Sequence, residues 1–211
     1  MRPSLTANED MKGYMTVGDV AAATREDYEQ AWIDGRRNDT WLVTHLDLRT
    51  DDLPSMLADP AHPIGITGYI RADSLWGRAD IAGVLGLFVP TANPALKRLE
   101  YRFSFETADE GPLTFLGYKE LSDDLLTTVL EDQQVLYFRI VRGHVGWDAV
   151  DTAPVYAVGI VTLYLWDFLR LNVLELRVHG PDRRRWLFRW LKFFLGTNIR
   201  FVRLKAAGRR S

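Results

Sequence analysis

The stretch KRLEYRFSF (residues 97–105) decides the fold class. Leu99, Tyr101, Phe103 and Phe105 fall on one side of an extended chain, and Arg98, Glu100, Arg102 and Ser104 on the other. A repeat of two marks a strand with one buried and one wet face. Working outward, PLTFLGYKEL (112–121) follows across the turn DEGP, and QVLYFRIV (134–141), YAVGIVTLYL (156–165) and NVLELRV (172–178) come after it. Upstream lie MKGYMTV (11–17), TWLVTHLDLRT (40–50), IGITGYIRA (64–72) and IAGVLGLFV (81–89). A final alternating run, IRFVRLK (199–205), suggests one more strand. Short strands punctuated by turn residues, with no helix recurring between them, argue against a parallel α/β sheet. The expectation is a mainly β chain: an antiparallel β-barrel or β-sandwich of about eight or nine strands, with short helices and a C-terminal amphipathic helix. Barrel and sandwich give the same alternation, so both stay open. Gly68, Gly83, Gly86, Gly117 and Gly159 lie inside strands and point to bulges or strong curvature.

Two helices interrupt the first half. TREDYEQAWIDGRRN (24–38) has Thr24 placed as an N-cap with Asp27 in the first turn, and TDDLPSMLADP (50–60) is a short capped helix stopping at Pro60. The chain has 211 residues, 47% of them hydrophobic, which is material for one large core. The layout expected is a flexible terminus over 1–9, a single β-rich domain over 10–205 that includes a helix at 182–195, and a basic tail over 206–211. There is no cysteine, so disulfides, thiolate metal sites and a cysteine nucleophile are excluded. The N-terminus carries no apolar core of a secretory signal, and no run of about eighteen apolar residues occurs. The expectation is a cytoplasmic protein, with a peripheral position on the inner face of the membrane as an extension of that reading.

The net charge of −2 conceals a sharp asymmetry. Residues 177–211 hold eleven Lys/Arg against Asp182, a balance of +10, while residues 1–176 stand at −12. Within the basic end, DRRRWLFRWLKFFLG (182–196) has helical periodicity, with Asp182 as cap and Gly196 as stop. Arg185, Arg189 and Lys192 form a stripe, Trp186, Trp190 and Phe193 lie beside it, and Arg183 and Arg184 add charge at the start. One reading packs this helix on the sheet with its arginines in water. The other lays it on an anionic membrane surface or a protein partner, where Arg/Lys with Trp/Phe suit a headgroup interface. Nucleic acid is disfavoured, because no nucleic-acid-binding motif accompanies the patch and the rest of the chain is acidic.

Signals for catalysis are weak. No P-loop, dinucleotide fingerprint, nucleophile elbow or metalloprotease motif is present, and His45, His62, His144 and His179 lack partners at metal spacing. No cofactor or metal is called. Tyr118, Lys119 and Glu120, at the end of a strand, are candidates for acid–base work, against the plainer reading of a solvated turn. Trp76 and Trp147 lie near glycines in loops, where they would either line a pocket mouth or cover a barrel end.

Seven stretches in order, EDMKGYM (9–15), DPAHPIGITGYI (59–70), GLFV (86–89), KRLEYRFSF, PLTFLGYKEL, LWDFLRLNVLELRV (165–178) and RWLKFFLG (189–196), together resemble an accessory module of large bacterial proteins. That module accompanies a cholesterol-oxidase-like flavin oxidoreductase of the glucose–methanol–choline family, or an α/β-hydrolase. The resemblance spans most of residues 9–203. It implies a β-rich module working beside enzymes that act on sterols or acyl lipids, and it transfers no catalytic residue. The flavin domain's fingerprint and catalytic histidine have no counterpart here. The function expected is therefore a non-catalytic lipid- or sterol-handling protein that binds an apolar ligand, or presents it to a partner oxidoreductase or hydrolase. Its alternatives are a small isomerase or hydrolase on an apolar substrate, and a protein-docking module.

Overall fold

The computed structural model describes residues 2–93, 96–122, 135–146, 149, 152–163 and 176–194. The strand expected over 199–205, the basic tail 206–211 and Trp147 lie outside them, as does most of the segment expected to be strand over 172–178.

Among the described residues, nine strands form one antiparallel sheet: β1 (Ser4–Val17), β2 (Trp41–Thr50), β3 (Pro63–Ala72), β4 (Gly77–Pro90), β5 (Leu96–Thr107), β6 (Gly111–Ser122), β7 (Val135–Arg142), β8 (Val155–Thr162) and β9 (Arg177–His179). Neighbours in sequence pair from β2 through to β8, and β1 pairs with both ends of that meander. Leu5 to Tyr14 of β1 run against β2, while Lys12 to Val17 run against β8. The sheet is thereby a closed eight-stranded barrel, with β9 added beside Ser4 to Thr6. Closure leaves no edge among those eight strands. It also decides between the two architectures the alternation allowed.

β1 begins at Ser4, inside the stretch expected to be a flexible terminus. The sequence SLTANED looks polar because its outward residues are polar. Leu5, Ala7 and Glu9 all point inward and are buried. Period two then holds around the barrel. Phe103, Phe115 and Phe138 stack across β5, β6 and β7 with centroids 4.4 and 4.7 Å apart, filling the lumen at mid-height. At one end the β3–β4 turn brings Trp76 against Phe105 (5.6 Å) and Tyr156 (5.8 Å). Trp76 thus packs over that end of the barrel.

A helix, α1 (Arg25–Arg37), lies outside the barrel over β1, β7 and β8. Thr24 caps it reciprocally with Asp27, as its sequence suggests. Hydrogen bonds from the Thr24 and Ala23 amides hold the Asp27 carboxyl below its usual value. Gly35 permits close packing, since a β-carbon there would meet the Met15 carbonyl oxygen at 2.3 Å. The short α2 (Leu53–Ala58) connects β2 and β3, with Asp52 accepting from the Ser55 amide. A third helix, α3, spans 183–194.

Candidate functional site

The end of the barrel opposite Trp76 holds an apolar cavity of about 70 Å³. Leucines and isoleucines of β1 to β5 form its walls, including Leu5, Leu48, Ile64, Leu85 and Leu99. Trp190 and Phe194 of α3 form its roof. Its floor is polar: Glu9, Tyr101 and Lys119. The volume holds several waters and is smaller than the roughly 300 Å³ at which small-molecule pockets begin.

The floor bridges the barrel. Glu9 comes from β1, while Tyr101 and Lys119 come from β5 and β6 on the far side of the lumen. Lys119 Nζ donates to Glu9 Oε1 at 2.6 Å, and the Tyr101 hydroxyl donates to Glu9 at 3.0 and 3.2 Å. The Lys119 ammonium also sits 5.2 Å from the Tyr101 ring centroid. The Lys119 and Glu9 side chains are 2% and 3% exposed. Burial, followed by the charge and hydrogen bond of Glu9, raises the Tyr101 phenol well above its ordinary value, so the hydroxyl remains a donor.

Of the three consecutive candidates, Lys119 alone enters this site. Alternation along β6 sends Tyr118 and Glu120 to the outer face, so the three do not converge. Tyr118 packs edge-on against Tyr28 of α1, with Arg98 over its ring at 4.5 Å. Burial, then the Tyr28 and Glu120 charges, push its hydroxyl up to about 12. Glu120 accepts from Arg98 at 2.8 Å and from Arg25 at 3.0 Å. Burial pushes its carboxyl up, but the two arginines outweigh that and leave it lowered. The group is not a solvated turn, because Lys119 is buried and Glu120 is doubly paired. Sequence reasoning missed Glu9 and Tyr101 as site residues. The available signal for Glu9 was a carboxylate in step with Leu5, Ala7 and Met11.

The terminal helix divides by face. Trp190 is buried, and Trp186, Phe193 and Phe194 pack against the core. Phe193 meets His62 at 4.5 Å and Phe88 at 5.4 Å. A register shift in β4 between Gly86 and Val89 places Phe88, at φ 54°, beneath the helix. Trp190 is therefore withdrawn from any outer partner while α3 is seated, contrary to its expected place on the membrane-facing set. Arg183, Arg184, Arg185, Arg189 and Lys192 stay exposed, as do Leu187, Leu191 and Phe188, the last at 69%. Arg189 lies over the Trp186 ring at 4.7 Å.

Among the described residues no cluster of His, Cys, Asp or Glu is arranged to hold a metal, and no helix is long and apolar enough to cross a membrane. No family model matches the chain, and no curated protein or solved structure matches it either.

Proposed function

We propose that this protein is a non-catalytic carrier of a lipid- or sterol-class molecule, held in the barrel beneath α3 and exchanged at an anionic surface. The observation that carries the reading is the apolar cavity inside a closed barrel, roofed by aromatic side chains of one amphipathic helix. Trp190 and Phe194 occupy the mouth that a longer apolar ligand would fill. Lifting α3 would vacate their space and enlarge the small cavity. Apolar burial contributes roughly 25 cal/mol per Å², so a ligand that replaces those contacts compensates for their loss. The same helix turns five cations and three large apolar side chains outward, a composition suited to an anionic headgroup layer. The resemblance to modules accompanying flavin oxidoreductases and α/β-hydrolases suggests the recipient of the cargo. A peripheral position on the inner membrane face fits this role.

The test combines native mass spectrometry and organic extraction of the purified protein with flotation on vesicles. Expected are a co-purifying neutral lipid or sterol, flotation with phosphatidylserine vesicles, and at least tenfold weaker flotation of the Arg183→Glu/Arg184→Glu/Arg185→Glu variant. A protein that is empty after purification, takes up no added lipid and never floats would remove the reading. A second reading, an acid–base enzyme on the same apolar substrate, is favoured by the convergence of Glu9, Tyr101 and Lys119 on the cavity floor. Recovery of cargo chemically altered by the protein would select it.

A further inference from the structure

We infer that the polar floor of the cavity selects the head of the ligand, and that this head is a single uncharged oxygen: a hydroxyl, ketone or ester carbonyl. The inference rests on the reading of the barrel as an apolar ligand site and adds the chemistry of one end. An ammonium group has three N–H donors. Among the described residues Lys119 Nζ donates to Glu9 Oε1 alone. The Tyr101 ring faces the ammonium on another side. Among the described residues at least one N–H of this buried, cavity-lining lysine is therefore unspent, and buried donors are ordinarily satisfied. Among the described residues the rest of the lining is aliphatic and aromatic, and the indole N–H of Trp190 is its one other side-chain donor.

Charge decides which oxygen fits. Glu9 and Lys119 compensate each other within a 2.6 Å contact. A carboxylate head would add a second negative charge among leucines with no cation left to match it, and an uncompensated buried charge is strongly unfavourable. An ammonium head would leave a positive charge equally unmatched, since the single Glu9 charge is already matched by Lys119. A neutral oxygen takes the free N–H and leaves the balance intact. A hydroxyl would also return its proton toward the Glu9 carboxylate. The ligand is then a largely apolar molecule with one alcohol or carbonyl at its buried end.

The test is a titration of the full-length protein, by calorimetry and protein-observed NMR, with octanol, methyl hexyl ketone, octanoate and octane. Octanol and the ketone should bind at least tenfold more tightly than octanoate and octane. Lys119→Met alone strands the Glu9 charge and risks the fold, so the informative variant is Glu9→Leu/Tyr101→Phe/Lys119→Met, which removes the polar groups of the floor together. That variant should bind octane and octanol within about twofold of each other. Equal binding of octane and octanol by the unaltered protein would overturn the inference while leaving an apolar site standing. A preference for octanoate would overturn the charge argument specifically. Failure of all four probes to bind would overturn the underlying reading and this inference with it.

Discussion

Lys119 and Glu9 are the two most consequential side chains in the lumen, because each makes the other tolerable there. Removing two ions from water costs several kcal/mol apiece, and a 2.6 Å contact in a low-dielectric interior offsets much of that. The stability of the pair is therefore strongly non-additive. Lys119→Met should lower unfolding free energy by about 3–5 kcal/mol, since it leaves a buried carboxylate unpaired. Glu9→Gln/Lys119→Met should recover most of that loss, because the introduced amide oxygen still accepts from Tyr101. Urea denaturation of the two singles and the double decides it; a single that costs no more than the double would show that the ions do not depend on each other. The sequence makes Lys119 legible as a candidate, but for the wrong reason. Adjacent residues in YKEL look like one cluster, whereas a strand deals them to opposite faces. Its true partner lies 110 residues upstream, in a stretch whose outward residues disguise it as a loose terminus.

At the level of elements, α1 is fastened to the barrel by one acid between two bases. Glu120 on β6 accepts from Arg98 on β5 and from Arg25 at the start of α1. The pairing lowers its carboxyl in the folded state, so the stability it adds is fully present above the unfolded value of about 4.3 and is lost as pH falls through the lower folded value. With Arg25 and Arg98 partly exposed, the contribution is modest, about 0.5–1 kcal/mol. Glu120→Gln should lower Tm by about 1–4 °C at neutral pH and match the unaltered protein below about pH 3. A gap that stays constant across that range would mean the arginines do not hold the carboxylate. The helix itself was legible, since Thr24 and Asp27 announce its start locally. The helical spacing of α3 was legible too, but Trp186, Trp190 and Phe193 were read as facing a membrane or partner, whereas all three pack toward the core. Which aromatic residues reach the core and which stay wet was not legible, because the register shift at Phe88 that receives Phe193 and Phe194 leaves no periodic mark.

The whole molecule depends on a seam that no local pattern could reveal. KRLEYRFSF establishes a strand, and its neighbours establish a meander, but a meander either closes or splits into two layers. Closure requires the first strand to meet the last strand of the meander, as Lys12 meets Thr162 and Val17 meets Ala157. β1 sits in the middle of that seam with a strand on each side. Gly13 faces Leu42 across one ladder and Val161 across the other. A β-carbon at Gly13 would stand 1.9 Å from the Ile160 carbonyl oxygen and 2.8 Å from the Val161 Cα, both backbone atoms fixed by the β1–β8 pairing. Neither can turn aside as a side chain would, so β1 and β8 must separate at the point where the barrel closes. Gly13→Ala should therefore cost more than about 4 kcal/mol, beyond the usual range for a point substitution, or prevent folding. Gly65→Ala is the matched control, because its β-carbon would approach the nearest atom, the Arg49 carbonyl oxygen, at 3.2 Å, between β2 and β3. That substitution lies away from the seam and should cost about 1 kcal/mol or less. Urea denaturation and near-ultraviolet circular dichroism compare the two directly. A Gly13→Ala protein within about 1 kcal/mol of the parent would mean that the β1–β8 seam is not what holds the barrel closed. The apolar cavity would then need another account, since its walls belong to one lumen only when that seam is shut.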